Sequence, residues 1–206
     1  MSWFLAHWTD VLVALRDHVL IAATALGIAF AISLPLGIAA ARSPAIYRIA
    51  IGITGVLYTI PTLAFLALLI PLVGLGRTNA ITCMVAFCLM ILVRNIATAL
   101  REVPTDVVDA ARGMGLRAQD ILWHVELPLA APVIVAGVRI AAVTVISVAV
   151  VAAFVDGGGL GTLIFAGISN DHAAKIWTGA IAACLLAVSV DLALGAAERT
   201  LRARAG

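Results

Sequence analysis

The sequence predicts an all-α, polytopic membrane protein with about five spans, and three observations support this. First, 64% of the 206 residues are hydrophobic and only 12% are charged, with a mean hydropathy of +1.15. A soluble domain is nearer half apolar and a quarter charged. Second, long uncharged runs recur at Val19–Ala41, Ile49–Gly76, Thr78–Val93, Ile140–Val155 and Ile176–Val190. A span needs roughly 20 mostly apolar residues, and a shorter run extends by tolerating one charge near its end. This places spans near 19–41, 50–72, 79–100, 132–154 and 175–197, all within one domain covering 1–206. Third, the basic residues are segregated. If the N-terminus lies outside, the inner segments hold Arg42, Arg48, Arg101, Arg112, Arg117, Arg199, Arg202 and Arg204, and the outer ones only Arg16, Arg77 and Lys175. Eight against three is a positive-inside asymmetry that puts the 101–128 loop and the C-terminus in the cytoplasm.

Residues 1–18 mix Trp3, Phe4, Trp8, Leu12 and Leu15 with Asp10, Arg16 and His18. They suit a short amphipathic helix lying in the outer interface, or else an extension of the first span. His18 is expected at the interface as a cap. The run that follows is too long for the core of a cleavable signal. Near the inner end of the first span, Ser33-Leu34-Pro35-Leu36-Gly37 pairs a helix-kinking proline with a glycine that admits a close neighbour.

The second span is interrupted at Tyr58-Thr59-Ile60-Pro61-Thr62. Broken helices survive in lipid only where neighbours or water satisfy the freed backbone. Tyr58, Thr59 and Pro61 are therefore candidates for the translocation path, with a packing kink as the alternative. Arg94 and Asn95, near the inner end of the third span, join that candidate set. Arg94 lies about 9 Å from that end at 1.5 Å per residue. Arg139 and Asp191 fall at similar depth, so Arg94, Arg139 and Asp191 are expected to share an intramembrane polar layer, with independent snorkelling as the alternative.

The fourth span leads into Asp156-Gly157-Gly158-Gly159, read as a compact, flexible outer turn against which a partner docks. No GxxxxGK[ST] occurs, so the chain carries no nucleotide loop of its own. Cys83, Cys88 and Cys184 lack CxxC spacing and are expected to be packing residues. No metal site is expected. The net charge of +2 is no argument for nucleic acid.

The longest polar interval, Asp109–Pro128, lies in the cytoplasmic loop. Pro104 suits a helix start, and Val107, Val108, Ala110, Ala111 and Met114 line one side of a short amphipathic helix. Gly115 supplies the turn, and a second helix over 117–125 ends at Leu127-Pro128. Such a knob fits a groove on another protein.

Asp109-Ala110-Ala111, then Gly115, Val125 and Leu127-Pro128, resembles the EAA motif of binding-protein-dependent ABC importer permeases. The departures are aspartate at 109 for glutamate and valine at 125 for isoleucine. LPLGI at 34–38, TIPTLAFLALLIPLVGLG at 59–76, VRN at 93–95, ELPLAAPVIVAGVRIA at 126–141 and GGLGTLIFAGI at 158–168 resemble the osmoprotectant branch. Its members import glycine betaine, carnitine, choline or proline. The resemblance implies a type I, MetI-like permease that pairs with a second permease, a copy or a paralogue, around a central path. It also implies two copies of an ATPase carrying ATP and Mg, an extracytoplasmic binding protein and a bacterial inner membrane. Asp109, Ala110, Ala111, Arg112, Gly113, Met114 and Gly115 would then form the coupling helix. Asp109 would meet a basic residue of the ATPase, and the two alanines would permit close docking. Asp156 to Gly159 would meet the binding protein.

The residues themselves argue against two other classes. An ion-coupled carrier favours carboxylates at mid-membrane depth, and the spans offer only Asp191, near an end. A membrane enzyme would need paired side chains, yet His124 and His172 fall on opposite sides. Tyr47, Tyr58 and Trp177 are too scattered to form a quaternary-ammonium cage. Solute selection is therefore expected in the binding protein.

Overall fold

The computed structural model describes Trp3 and residues 6–205, with the side chains of 204 and 205 left aside. Phe4, part of the proposed interfacial helix, lies outside the described residues. The described residues are mostly helical, with no strand among them.

Helix α1 runs unbroken from Trp8 to Arg42. Asp10, Arg16 and His18 belong to this rod, so the expected break between an interfacial helix and the first span is absent among the described residues. No glycine or proline interrupts 8–26, so nothing stops the helix there. His18, Ala22, Ala25, Ala29, Ser33, Gly37 and Ala40 recur every three or four residues and are all buried. This stripe of mostly small side chains lets α1 lie close against α4 (Arg77–Arg101). Gly37 marks the tightest approach: a Cβ there would sit 2.6 Å from Ile96 Cγ2. Pro35 stays inside the helix without ending it.

Ser43 breaks the helix with extended backbone and caps α2 (Pro44–Thr59), its hydroxyl accepting from Ile46 N at 3.4 Å. Pro44 at the first helical position needs no donor there. Ile60, the residue before Pro61, is extended, as sterics before proline demand. Helix α3 (Thr62–Val73) departs at 102° to α2. The segment expected as a single span over 50–72 is thus two helices at nearly a right angle. Buried Asn79 braces the exit from α3, donating to Leu66 O (3.2 Å) and Gly74 O (2.8 Å).

Short helices α5 (Thr105–Gly113) and α6 (Ala118–Ile121) follow. A π turn at Leu122–Glu126 then leads without interruption into α7 (Leu127–Ala152). The expected helix stop at Leu127-Pro128 does not occur: the helix runs on through Pro128, the second residue of α7, directly after the π turn. A 3-10 turn (Ala153–Val155), α8 (Gly161–Ser169) and α9 (Ala173–Ala205) complete the order.

Contacts at the helix ends fix their directions. Arg77 meets Asp17 at 2.8 Å, and Arg101 donates to Ala40 O and Ala41 O. Helices α1 and α4 therefore run parallel, and the bent α2–α3 pair has to carry the chain back between them. Gly76 N donates to Val155 O at 2.7 Å, so α7 ends where α4 begins. The Lys175 ammonium lies over Trp3, placing the start of α9 beside the start of the chain. One end of the bundle thus carries the 101–126 loop and the other the glycine turn. Among the described residues four helical segments are long and apolar enough to span a bilayer, or five when the bent pair is counted as one span. Exposed Trp177, Ile181, Leu185, Val188 and Leu192 form an apolar stripe along α9, as a lipid-facing or protein-facing surface requires. Cys83 and Cys88 are buried, Cys184 is exposed, and all three are free.

Candidate coupling site

In the loop between α4 and α7, α6 folds back against α5, and Val103 and Val108 pack on the main apolar core. Val103, Ala111 and Ile121 are buried, and Val108 is half-buried. The face of α5 beside them carries Val107, Ala110 and Met114 outward, with Met114 74% exposed. The five apolar positions expected to share one side are therefore divided. Ala111, only 2% exposed, packs within the loop and is unavailable for docking, whereas Ala110 remains open.

Two hydrogen bonds close the end of α5: Gly115 N to Arg112 O (3.0 Å) and Leu116 N to Ala111 O (3.3 Å). This is the Schellman arrangement, and it puts Gly115 at φ +86°, where a side chain is strained. Gly113 is exposed beside it. Asp109 accepts from Arg112 Nη1 at 2.7 Å across one helical turn, both side chains being exposed. The carboxylate is thus held on its own helix while remaining accessible from outside.

The base of the loop is gripped from both directions. Glu126, in the π turn and only 3% exposed, receives both Nη atoms of Arg42, with Nη1–Oε1 at 2.9 Å. At the other base, Arg101 donates through Nη2 to Ala40 O (2.5 Å) and through Nε to Ala41 O (3.3 Å). These are terminal α1 carbonyls that lack helical partners. The guanidinium also lies 4.3 Å from the centroid of the Tyr47 ring, on α2. Sequence reasoning missed Arg42, Glu126 and Arg101. The available signal was charge at the ends of greasy runs.

At the opposite end, Asp156 is exposed in the left-handed region (φ +61°), and Gly158 and Gly159 also have positive φ. Gly157 and Gly159 are buried, which leaves Asp156 and Gly158 as the accessible part of the turn. A Cβ on Gly159 would approach His18 Nδ1 to 2.9 Å. His18 is wholly buried rather than interfacial: its Nε2 donates to Ile146 O (3.1 Å) and its Nδ1 accepts from Leu160 N (3.2 Å). Those partners together require the neutral imidazole protonated on Nε2.

Arg139 on α7 holds Asp191 on α9 through Nε–Oδ1 (2.5 Å) and Nη2–Oδ2 (2.7 Å), with Glu198 at 3.6 Å from Nη1. Gly195 leaves room for the guanidinium, a Cβ there lying 3.3 Å from Arg139 Cζ. Arg94 forms none of the ion pairs among the described residues and is exposed on α4, so the expected three-residue layer contracts to Arg139 and Asp191. Asn95 bonds its own helix at Ile91 O (2.7 Å) and packs on Gly137, which puts it in the α4–α7 contact. Tyr58 stacks edge-on against Phe87, Thr59 bonds Val56 O, and Pro61 is exposed at the bend.

The family model described as the inner membrane component of binding-protein-dependent transport systems matches residues 33–203, most of the chain. The protein belongs to that family. This permease is 35% identical over 205 residues to the carnitine transport permease protein OpuCB of Listeria monocytogenes, covering 100% of this chain and 94% of the relative. It is 35% identical over 192 residues to the choline transport system permease protein OpuBB of Bacillus subtilis, covering 93% and 88%. Among solved structures, it resembles an inward-facing MetNI methionine ABC transporter with a TM-score of 0.85 at 21% identity, covering 98% and 99% of the two chains. That likeness shows the fold: the bent pair and the loop belong to a type I importer permease. A transport subunit of an ABC importer, passing several times through a membrane, is what the chain is.

Proposed function

We propose that this permease imports an osmoprotectant of the glycine betaine, choline, carnitine or proline class, driven by two copies of a separate ATPase that carry ATP and Mg. A second permease subunit, a copy or a paralogue, completes the path, and an extracytoplasmic protein delivers the solute. The N-terminus lies outside and the C-terminus in the bacterial cytoplasm, an orientation supported by the excess of arginine at the loop end. Mechanistically, ATP binds the closed ATPase pair better than the open pair. The loop conveys that preference to the helices, because a ligand shifts an equilibrium only through differential affinity.

The observation that best supports the coupling role is the outward stripe of Val107, Ala110 and Met114, presented on a helix closed by the strained-to-all-but-glycine turn at Gly115. Asp109 and Arg112 flank it with a carboxylate and a guanidinium for a charged partner. Asp156, exposed at the opposite end, is the residue of that turn best placed for the binding protein. The carnitine and choline relatives support the solute class. Tyr58, Thr59 and Pro61, at the α2–α3 bend, and Arg94, exposed on α4, remain the proposed path residues.

The test is to reconstitute the chain in vesicles with its co-expressed ATPase and binding protein, then offer glycine betaine, choline, carnitine and proline in turn. Stimulated ATP hydrolysis and uptake by one or more are expected. Stimulation by an amino acid such as methionine alone would change the solute class. Uptake that survives ATP depletion but collapses with the proton gradient would overturn the ABC mechanism.

A further inference from the structure

Glu126 is the sole carboxylic side chain among the buried polar residues described, which otherwise comprise His18, Ser33, Thr54 and Asn79. A buried carboxylate is costly unless paired, and Arg42 pairs it in bidentate fashion. Arg42 is the last residue of α1 and sits one position before the Ser43 elbow into α2. Arg101, at the other base of the loop, grips the same elbow through the Ala40 and Ala41 carbonyls and the Tyr47 ring. Both ends of the loop therefore hold one point, where α1 stops and α2 starts.

The π turn adds a residue to the helix at this place, which shifts the helical phase by about 100° between the loop segment and α7. The loop can consequently present one face to a partner while Glu126 turns inward to Arg42. Helix α5 also touches the membrane helices through Val108, which packs on the main apolar core. No comparably buried charge pair joins the loop to another helix among the described residues.

We infer that the Arg42–Glu126 pair, backed by Arg101, is the linkage that passes displacement of the coupling loop to the α1–α2 elbow, and through α2 to the 102° bend. Arg42 and Glu126 are positioning residues: they touch neither solute nor nucleotide. The coupling consequence rests on the function proposed above, whereas the mechanical linkage belongs to the permease alone.

The test has two arms. In the full chain in lipid nanodiscs, with Cys184→Ser, spin labels go on exposed positions 48 (α2) and 119 (α6). The reference chain should give a narrow distance distribution, Glu126→Gln and Arg42→Gln a broad one, and the swap Arg42→Glu with Glu126→Arg a narrow one again. In the assembled complex, glycine betaine uptake per ATP hydrolysed should fall about tenfold in each single variant and recover in the swap. A narrow distribution in both single variants overturns the linkage. So does a fall in protein amount alone with the uptake-to-ATP ratio unchanged, or a swap that restores neither readout. If the unsubstituted complex shows no ATP-driven uptake, the proposed function fails, and the distance arm still decides the linkage.

Discussion

The two ends of α1 are held by different chemistry. At the loop end the fastenings are ionic: Arg42 on Glu126, with Arg101 on the final carbonyls. At the glycine end a partly exposed Arg77–Asp17 pair is present too, but the buried fastening is neutral and steric, with His18 bridging Ile146 O and Leu160 N while Gly159 makes room for its ring. An ionic fastening between a long, half-exposed arginine and a buried carboxylate can pivot without parting, so it passes displacement on without fixing the angle between the parts it joins. A buried imidazole between two backbone groups, with a glycine against its face, admits almost no movement. The contrast assigns a movable joint to the loop end and a fixed one to the opposite end.

The sharpest way to break the rigid end is Gly159→Val. The new side chain meets the His18 ring and must also adopt φ +79°, so a loss of about 3 kcal/mol or more is expected. Monodispersity and melting in detergent would read it, and near-normal behaviour would refute the tight fit. Next comes His18→Leu, which strands the Leu160 amide and removes the second hydrogen bond to the Ile146 carbonyl. About 2–3 kcal/mol is expected, visible as a lowered Tm; an unchanged Tm would mean that those groups find other partners.

A double-mutant cycle on Arg139→Ala and Asp191→Ala probes a third ionic contact away from both ends. Strong non-additivity in melting temperature is expected, since the two side chains share a bidentate contact; additive losses would mean that each stands alone.

At the loop, Gly115→Pro removes the N–H that bonds Arg112 O and forbids φ +86°. The C-cap should be lost at about 1–2 kcal/mol, confined to the loop. Membrane insertion should persist while ATP-driven uptake collapses; full uptake would sink the coupling-loop assignment. The smallest stability effect is expected for Asp109→Lys, below about 0.5 kcal/mol because the Arg112 contact is exposed. Uptake should nevertheless fall steeply, as a reversed charge faces the proposed ATPase contact.

Features set by local pattern were legible in the sequence. The five apolar runs, the interruption at Pro61, the Gly115 turn and the unpaired cysteines each follow from composition or backbone rules acting over a few residues. The size of the bend was not, because a proline marks where a helix stops and says nothing of the direction in which the next begins. Nor were the fastenings of α1. His18 finds its partners at 146 and 160, and Arg42 finds Glu126, across separations that leave no periodic trace. Ala111 shows the limit within a single helix. The spacing put it in an apolar stripe, but only the fold of α6 back across α5 determines which apolar positions face inward.

The parallel course of α1 and α4 bears on how the chain assembles. Antiparallel neighbours can zip together as a hairpin as soon as both have entered the bilayer; a parallel pair cannot. The small-residue seam on α1 has to wait, unpartnered, until α2 and α3 have crossed and α4 has been laid down in the same sense as α1. During biogenesis that seam, with buried His18 at one end and Ser33 and Gly37 at the other, faces lipid or an insertion factor rather than its final neighbour. Variants that enlarge the seam should therefore leave insertion of the early segments intact and arrest assembly only once α4 arrives.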